Sequence, residues 1–167
     1  MADVTFQGNP LTLVGDAAGV GDAAPDAELV ANDLTPVRIS DFKGKVCIIA
    51  SVPSLDTGVC DTEARKFNEQ AASLGDDVAI AVISMDLPFA QARWCGAAGV
   101  DAVKTLSDHR EAGFGKAYGV LVKELRLLGR AVFVLDKDGV IRYKEVVQEL
   151  TNEPDYNAAV EAVKGLV

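Results

Sequence analysis

Two segments of continuous apolar residues predict strands that are covered on both faces. They span residues 45–52 and 77–84, are rich in β-branched side chains, and Pro53 ends the first of them. Strands of this composition are typical of a sheet that lies between layers of helices. Residues 131–136 and 140–147 predict two further strands, because a turn with Gly139 joins them as a hairpin.

Helices are predicted between and after these strands. Residues 57–74 repeat apolar side chains at spacings of three to five, which is the pattern of an amphipathic helix. The positions are Val59, Ala64, Phe67, Ala71 and Leu74. Pro88 indicates the first turn of a helix over residues 88–98. Shorter helices are predicted at 109–118 and 154–166.

The remaining apolar positions predict short extended pieces. Alternation around a Gly-Asn-Pro turn indicates a hairpin over residues 3–15, and residues 16–27, rich in Ala, Gly and Asp, indicate a loop. Short strands are expected at 28–31, 36–39 and 103–106. The order of elements predicts an α/β fold with a central mixed sheet flanked by helices, in a single domain over residues 1–167.

Charge and hydropathy exclude several partners. Sixteen Lys and Arg stand against 25 Asp and Glu, which gives a formal net charge of −9. This balance argues against nucleic acids and anionic membranes as partners, because both attract basic surfaces. The longest apolar run is far shorter than the ~20 residues of a membrane span. The first residues lack the basic and apolar stretches of a signal peptide, so a cytoplasmic setting is expected.

The chain has three cysteines, at positions 47, 60 and 95, and one histidine, His109. They are scattered, without the paired spacings of a structural zinc site. An odd, low number of cysteines is also unlike the disulfide framework of a small secreted protein. In a reducing compartment these residues point either to thiol chemistry or to simple packing.

Cys60 has the most informative surroundings. It lies in the first turn of the helix predicted over 57–74, where unpaired backbone N–H groups carry a partial positive charge that favours a thiolate. Thr57 can hydrogen-bond the thiolate or a ligand oxygen, Pro53 can shield one side of it, and a distant arginine could add charge. The alternative is that Cys60 is a small apolar residue on the buried helix face.

The other candidates are weaker on their own. Cys95 lies on the helix predicted at 88–98 and could pair with Cys60 if loops relax, but by itself it is more simply interpreted as a packing residue. Cys47 lies inside an apolar strand and is interpreted as inert packing. His109 is the one possible base for a Cys–His hydrolase, but its segment is polar and indicates a solvated loop.

Residues 51–60, with the sequence SVPSLDTGVC, match the peroxiredoxin pattern P-x-x-x-T-x-x-C. In its longer form the segment resembles the bacterial thiol peroxidase branch, the atypical two-cysteine peroxiredoxins. Further stretches agree with that branch, at residues 8–10, 89–95, 114–120, 130–136 and 153–156. One mild departure is Trp94, which stands where phenylalanine is more usual in the branch.

The resemblance implies a fold and a set of roles. The fold is thioredoxin-like with an N-terminal β-hairpin. Cys60 is then the peroxidatic cysteine, and Cys95 is the resolving cysteine on the following helix. Thr57 and Arg130 hold and polarise the peroxide, while Pro53 shields the site.

The resemblance also implies an activity. Hydrogen peroxide and organic hydroperoxides are reduced through a Cys60 sulfenic acid and an intrachain Cys60–Cys95 disulfide, which thioredoxin recycles in antioxidant defence. No cofactor or metal is needed, and a homodimer is expected. One alternative is a thioredoxin-type thiol–disulfide oxidoreductase, against which the missing C-x-x-C argues. The other is a non-catalytic interaction domain, against which the retained site residues argue.

Overall fold

The apolar segments of the sequence form the middle of a central sheet. The computed structural model describes residues 3–16, 18–98 and 103–167. Its strands are β1 (Val4–Phe6), β2 (Asn9–Leu11), β3 (Leu13–Val14), β4 (Glu28–Val30), β5 (Pro36–Arg38), β6 (Val46–Ser51), β7 (Val78–Ser84), β8 (Lys104–Ser107), β9 (Leu121–Val122), β10 (Leu127–Leu128), β11 (Ala131–Leu135) and β12 (Ile141–Val146). Its α-helices are α1 (Gly58–Leu74), α2 (Pro88–Ala98), α3 (Gly113–Tyr118) and α4 (Tyr156–Lys164), with a 3₁₀ helix at Ile39–Phe42.

The central sheet is mixed, and the predicted fold class is confirmed. Its strand order is β12-β11-β6-β7-β8-β4-β5. The pairs β6–β7 and β7–β8 are parallel, whereas β11 runs antiparallel to both β6 and β12. Each of the parallel strands β6 and β7 is followed by a helix, as the alternation of strands and helices in the sequence predicted.

Both faces of the sheet are covered, which explains the continuous apolar character of its middle strands. On one face, Ile48 of β6 packs in a cluster with Phe67 of α1 and Val163 of α4. On the other face, Ile49 packs with Phe114 of α3. The buried face of α1 contains Ala64, as predicted, while the side chain of Ala71 lies outside the part of the structure that is described.

The sheet topology determines where the site forms. The carboxyl ends of β6 and β7 lead to α1 and α2, so both helices begin at the same edge of the sheet. Because β11 is antiparallel to β6, its first residue, Ala131, pairs with Ser51, the last residue of β6. Ser51 Oγ also donates a hydrogen bond of 2.8 Å to the carbonyl of Gly129. The residues just before β11 therefore lie beside the loop that enters α1.

The N-terminal hairpin is present, but it is shorter than predicted. β1 pairs with β2 across a turn in which Gln7 and Gly8 have positive φ. The rest of the predicted hairpin belongs elsewhere, because β3 pairs with β9, which in turn pairs with β10. Neither β9 nor β10 was predicted from the sequence.

The helix predicted at 109–118 is also too long. Only Gly113–Tyr118 is helical, because Ala112 adopts a left-handed conformation and the Asp108 carboxylate accepts the N–H groups of Phe114 and Gly115. In the described ranges, no helix combines the length and the apolar character that a membrane span requires.

Candidate active site

Cys60 lies in the first turn of α1 and is fully buried. Thr57 is the N-cap of this helix, and its hydroxyl oxygen accepts the N–H of Cys60 at 3.4 Å. Pro53 is buried in the loop between β6 and α1, whereas Thr57 is exposed. The thiol therefore lies at the positive end of the helix dipole, with one hydroxyl beside it that can also reach solvent.

Arg130 supplies a buried positive charge at the same place. It immediately precedes β11, is 2% exposed, and donates from Nε and Nη2 to the carbonyl of Leu150 at 2.9 and 2.6 Å. Burial acts to lower the pKa of Arg130, but its interactions with Cys60 and Glu63 outweigh this effect and raise the pKa. The guanidinium therefore stays charged beside the Cys60 sulfur, although the chain as a whole is acidic.

Glu63 is a further site residue, which was not predicted from the sequence. It lies three residues after Cys60 on α1, is fully buried, and accepts a hydrogen bond of 3.0 Å from Arg130 Nη1. Its second oxygen, Oε2, has no hydrogen-bond partner among the described residues. Burial raises the pKa of Glu63 to about 7, although the charge of Arg130 acts in the opposite direction. The i, i+3 spacing from Cys60 is the signal that could have revealed it.

Cys95 is held apart from this group. It is half-buried on α2, and its Sγ lies 3.3 Å from Thr105 Oγ1 on β8. Asn32 completes the contact, since its Nδ2 lies 4.0 Å from the sulfur and its Oδ1 accepts the Thr105 hydroxyl at 3.0 Å. Cys60 and Cys95 are both free thiols. The structure thus brings Cys60, Thr57 and Arg130 together and leaves Cys95 against a different strand.

The residues next to the two cysteines are nevertheless in contact. The indole N–H of Trp94 donates to Asp61 Oδ1 at 2.7 Å. Arg65, one turn further along α1, lies over the Trp94 ring at 5.9 Å and donates to the carbonyl of Ala98 at 3.3 Å. These bonds join the start of α1 to the second half of α2.

Cys47 and His109 remain outside the site. Cys47 is buried in β6, and burial raises its pKa to about 12, which keeps it a neutral thiol. His109 is half-buried after β8, where its backbone N–H donates a hydrogen bond to Ser107 Oγ. No group of three or more His, Cys, Asp or Glu within the described ranges is arranged to hold a metal ion.

A mixed sheet between helices, with a lone cysteine at a helix start and an arginine beside it, defines a thioredoxin-like thiol oxidoreductase. The chain belongs to the Redoxin family, whose model matches residues 19–160. It is similar to the thiol peroxidase of Bacillus subtilis strain 168, with 58% identity over 100% of this chain and 99% of that protein. It is also similar to the thiol peroxidase of Listeria innocua, with 54% identity over 98% and 99% of the two chains.

Solved structures agree with this assignment. A peroxiredoxin-like protein from Aquifex aeolicus superposes with a TM-score of 0.92 at 45% identity, covering 98% of this chain and 96% of that one. A thiol peroxidase from Chromobacterium violaceum shares the fold with a TM-score of 0.86 at 22% identity, covering 97% and 95%. The resemblance to the thiol peroxidase branch is confirmed, and the chain is a peroxidase of the oxidoreductase class.

Proposed function

We propose that this chain, acting as one domain, reduces hydrogen peroxide and organic hydroperoxides with the thiolate of Cys60. The observation that carries the proposal is the placement of Cys60 at the start of α1, beside the buried charge of Arg130. A helix terminus and a guanidinium favour the anionic sulfur, which is the nucleophilic form of cysteine. They also place positive charge where the breaking O–O bond develops negative charge.

In the first step the Cys60 thiolate attacks one peroxide oxygen and the O–O bond breaks. The sulfur becomes a sulfenic acid, and the leaving oxygen takes up a proton to give water or an alcohol. The Thr57 hydroxyl donates its own proton to the carbonyl of Ser54 at 3.0 Å and accepts the N–H of Cys60, which leaves one lone pair to accept the peroxide O–H. To Pro53, which is buried in the loop before α1, we assign the role of limiting the access of water to the sulfur.

In the second step the Cys95 thiol condenses with the sulfenic acid, forming the disulfide and releasing water. Because Cys95 is hydrogen-bonded to Thr105 and Asn32, we propose that the second half of α2 moves away from these two residues before the disulfide forms. Thioredoxin then reduces the disulfide by thiol exchange through a mixed disulfide, and it is itself oxidised. Such a cycle needs a pool of reduced thiols, which is consistent with the cytoplasm.

A thiol count tests this cycle. The reduced chain has three cysteines, and one equivalent of cumene hydroperoxide is expected to consume two thiols and leave Cys47. The Cys95→Ser variant is expected to reduce one equivalent and then stall with thioredoxin, because its sulfenic acid has no resolving thiol. Free thiols are counted before and after the peroxide is added.

The control for the thiol count is Cys47→Ala, which should lose both of its remaining thiols. An unchanged count under excess peroxide would refute the peroxidase mechanism. Normal cycling of Cys95→Ser with thioredoxin would refute the resolving role of Cys95 and leave the first step intact.

A homodimer completes the proposal. Leu87 and Phe89, at the beginning of α2, are 54% and 67% exposed and lie at the edge of the sheet where the site forms. Adjacent apolar side chains this exposed are characteristic of an interaction surface. We therefore propose that two copies of the chain associate through this region.

The dimer prediction is tested by sedimentation. Wild type is expected to sediment at twice the chain mass, whereas Phe89→Ser should raise the dissociation constant at least about tenfold, the equivalent of 1.4 kcal/mol. Val20→Ser is a matched control, because Val20 is 63% exposed in the loop before β4. A monomeric wild type, or equal weakening by both substitutions, would contradict this interface.

A further inference from the structure

The carboxylate of Asp86 joins the loop that carries the catalytic motif to the strand beside it. Asp86 lies between the end of β7 and the start of α2. Its Oδ1 accepts the hydroxyl of Ser54 at 2.7 Å, and its Oδ2 accepts the N–H of Leu55 at 2.8 Å and the hydroxyl of Ser84 at 2.7 Å. Three donors, two from the loop before α1 and one from the end of β7, thus converge on one side chain.

Through the backbone of Ser54, these bonds are connected to the reacting cysteine. The carbonyl of Ser54 accepts both the hydroxyl and the N–H of Thr57, at 3.0 and 3.2 Å. The Thr57 oxygen in turn accepts the N–H of Cys60 at 3.4 Å. Asp86 is therefore connected to the first turn of α1 through Ser54 and Thr57.

The orientation of the Thr57 side chain depends on this series of hydrogen bonds. Its side chain is exposed, so apolar packing does not hold it, and the direction of its hydroxyl is determined by the hydrogen bond to Ser54. A shift of about 1 Å in a positioning group can cost on the order of 10²-fold in rate. The position of the Ser54 carbonyl, and hence of Asp86, then matters for the chemistry.

We propose that Asp86 is a positioning residue for the reaction of Cys60 with peroxide. The inference rests on the proposed peroxidase function and adds to it a residue that does not touch the substrate. A carboxylate suits this role because it has only acceptor atoms, so it can take all three donors at once. An asparagine would turn an NH₂ group toward at least one of them, and it would also lose the strength of the charge-assisted bonds.

The test isolates the peroxide step in a Cys95→Ser background. The fluorescence of Trp94, the single tryptophan of the chain, is followed against peroxide concentration. We expect Asp86→Ala to lower the second-order rate constant by about 10- to 100-fold. Asp86→Asn should fall between Asp86→Ala and the parent, because it keeps one carbonyl acceptor. Ser54→Ala should also slow the step, since it removes one of the three bonds.

Asp136→Ala is the matched control. The Asp136 carboxylate also accepts three hydrogen bonds, from the N–H groups of Asp138 and Val140 and from Arg142 Nε. It follows β11 at the opposite edge of the sheet from Cys60, so its loss should leave the peroxide rate unchanged. Equal slowing by Asp86→Ala and Asp136→Ala would reduce Asp86 to a merely structural role and overturn the proposal.

Alkylation of Cys60 by iodoacetamide gives a second readout. If Asp86 positions Thr57 for peroxide, the Asp86→Asn and Ser54→Ala variants should react more slowly with peroxide. Their rate of alkylation should stay close to that of the parent. A parallel fall of both rates in Asp86→Asn and Ser54→Ala would overturn the proposal, as would unchanged peroxide rates in both. Failure of the Cys95→Ser parent to react with peroxide would instead refute the proposed function itself.

Discussion

Replacement of Cys60 by serine is expected to abolish peroxide reduction, with a loss on the order of 10³-fold or more, as for other enzymes that lose their nucleophile. A hydroxyl in this position stays protonated and forms no sulfenic acid, so neither step of the cycle can begin. Serine differs from cysteine by one atom. The buried first turn of α1 should therefore keep its structure.

The loss is measured as consumption of cumene hydroperoxide with reduced thioredoxin, together with the thermal midpoint of unfolding. Cys47→Ala is the matched control, since it removes a buried thiol from the neighbouring strand β6. Its turnover should equal that of wild type. Turnover by Cys60→Ser above about one per cent of wild type would contradict the assignment of Cys60 as the reacting cysteine. Loss of turnover in Cys47→Ala would contradict it as well.

Replacement of Arg130 by methionine is expected to reduce both activity and stability. The rate of the peroxide step should fall by about 10²–10³-fold, the cost of losing one preorganised donor at the developing charge. Unfolding should become easier by about 3–5 kcal/mol, because Glu63 is left buried without its ionic partner. The peroxide rate constant and urea unfolding curves measure the two effects separately.

A double variant, Glu63→Met with Arg130→Met, separates the chemical role from the structural one. Replacing both members of a buried ion pair by apolar residues of similar volume is often neutral for stability. The double variant should therefore recover most of the lost stability, while its peroxide rate stays as low as that of Arg130→Met. Recovery of the rate together with the stability would show that Arg130 has no direct role in the chemistry.

The pH dependence of stability is a further part of this prediction. The carboxyl of Glu63 has an ordinary pKa of 4.5, and burial raises it to about 7 in the folded chain. Between these values the folded protein holds a proton that the unfolded chain has lost, so the contribution of Glu63 to stability falls as pH rises. Without Arg130 the carboxylate loses its main compensation. The free energy of unfolding of Arg130→Met, measured relative to that of the double variant, should therefore be lower at pH 8 than at pH 5. The opposite order would contradict this prediction.

The sequence predicted the elements whose evidence is local. The apolar runs gave the positions of β6 and β7 to within a residue or two, because a strand buried on both faces has a continuous apolar composition. The helix at 57–74 was predicted from its spacing, and Cys60 in its first turn followed from that boundary. Arg130 was identified only by resemblance to a family pattern, whereas Pro53 was indicated by its place before the helix, and the catalytic roles of both stay predictions.

The elements that were missed depend on distant partners. β3, β9 and β10 are two residues long, too short for a periodic pattern, and form one sheet only because distant segments meet. The helix predicted at 109–118 begins late because the Asp108 carboxylate holds the turn before Gly113. Propensity alone does not show such a side-chain contact.

The features of the site divide in the same way, into those that follow from local sequence and those that depend on distant partners. Sequence alone determined the acidic character of the protein, its α/β class, and the placement of Cys60 after Thr57, because composition, periodicity and helix capping act over a few residues. Only the tertiary structure decided that Glu63 is a buried partner of Arg130, because its burial comes from elements far along the chain. It likewise decided that Cys95 rests against Thr105, since the packing of α2 on β8 determines where that thiol points.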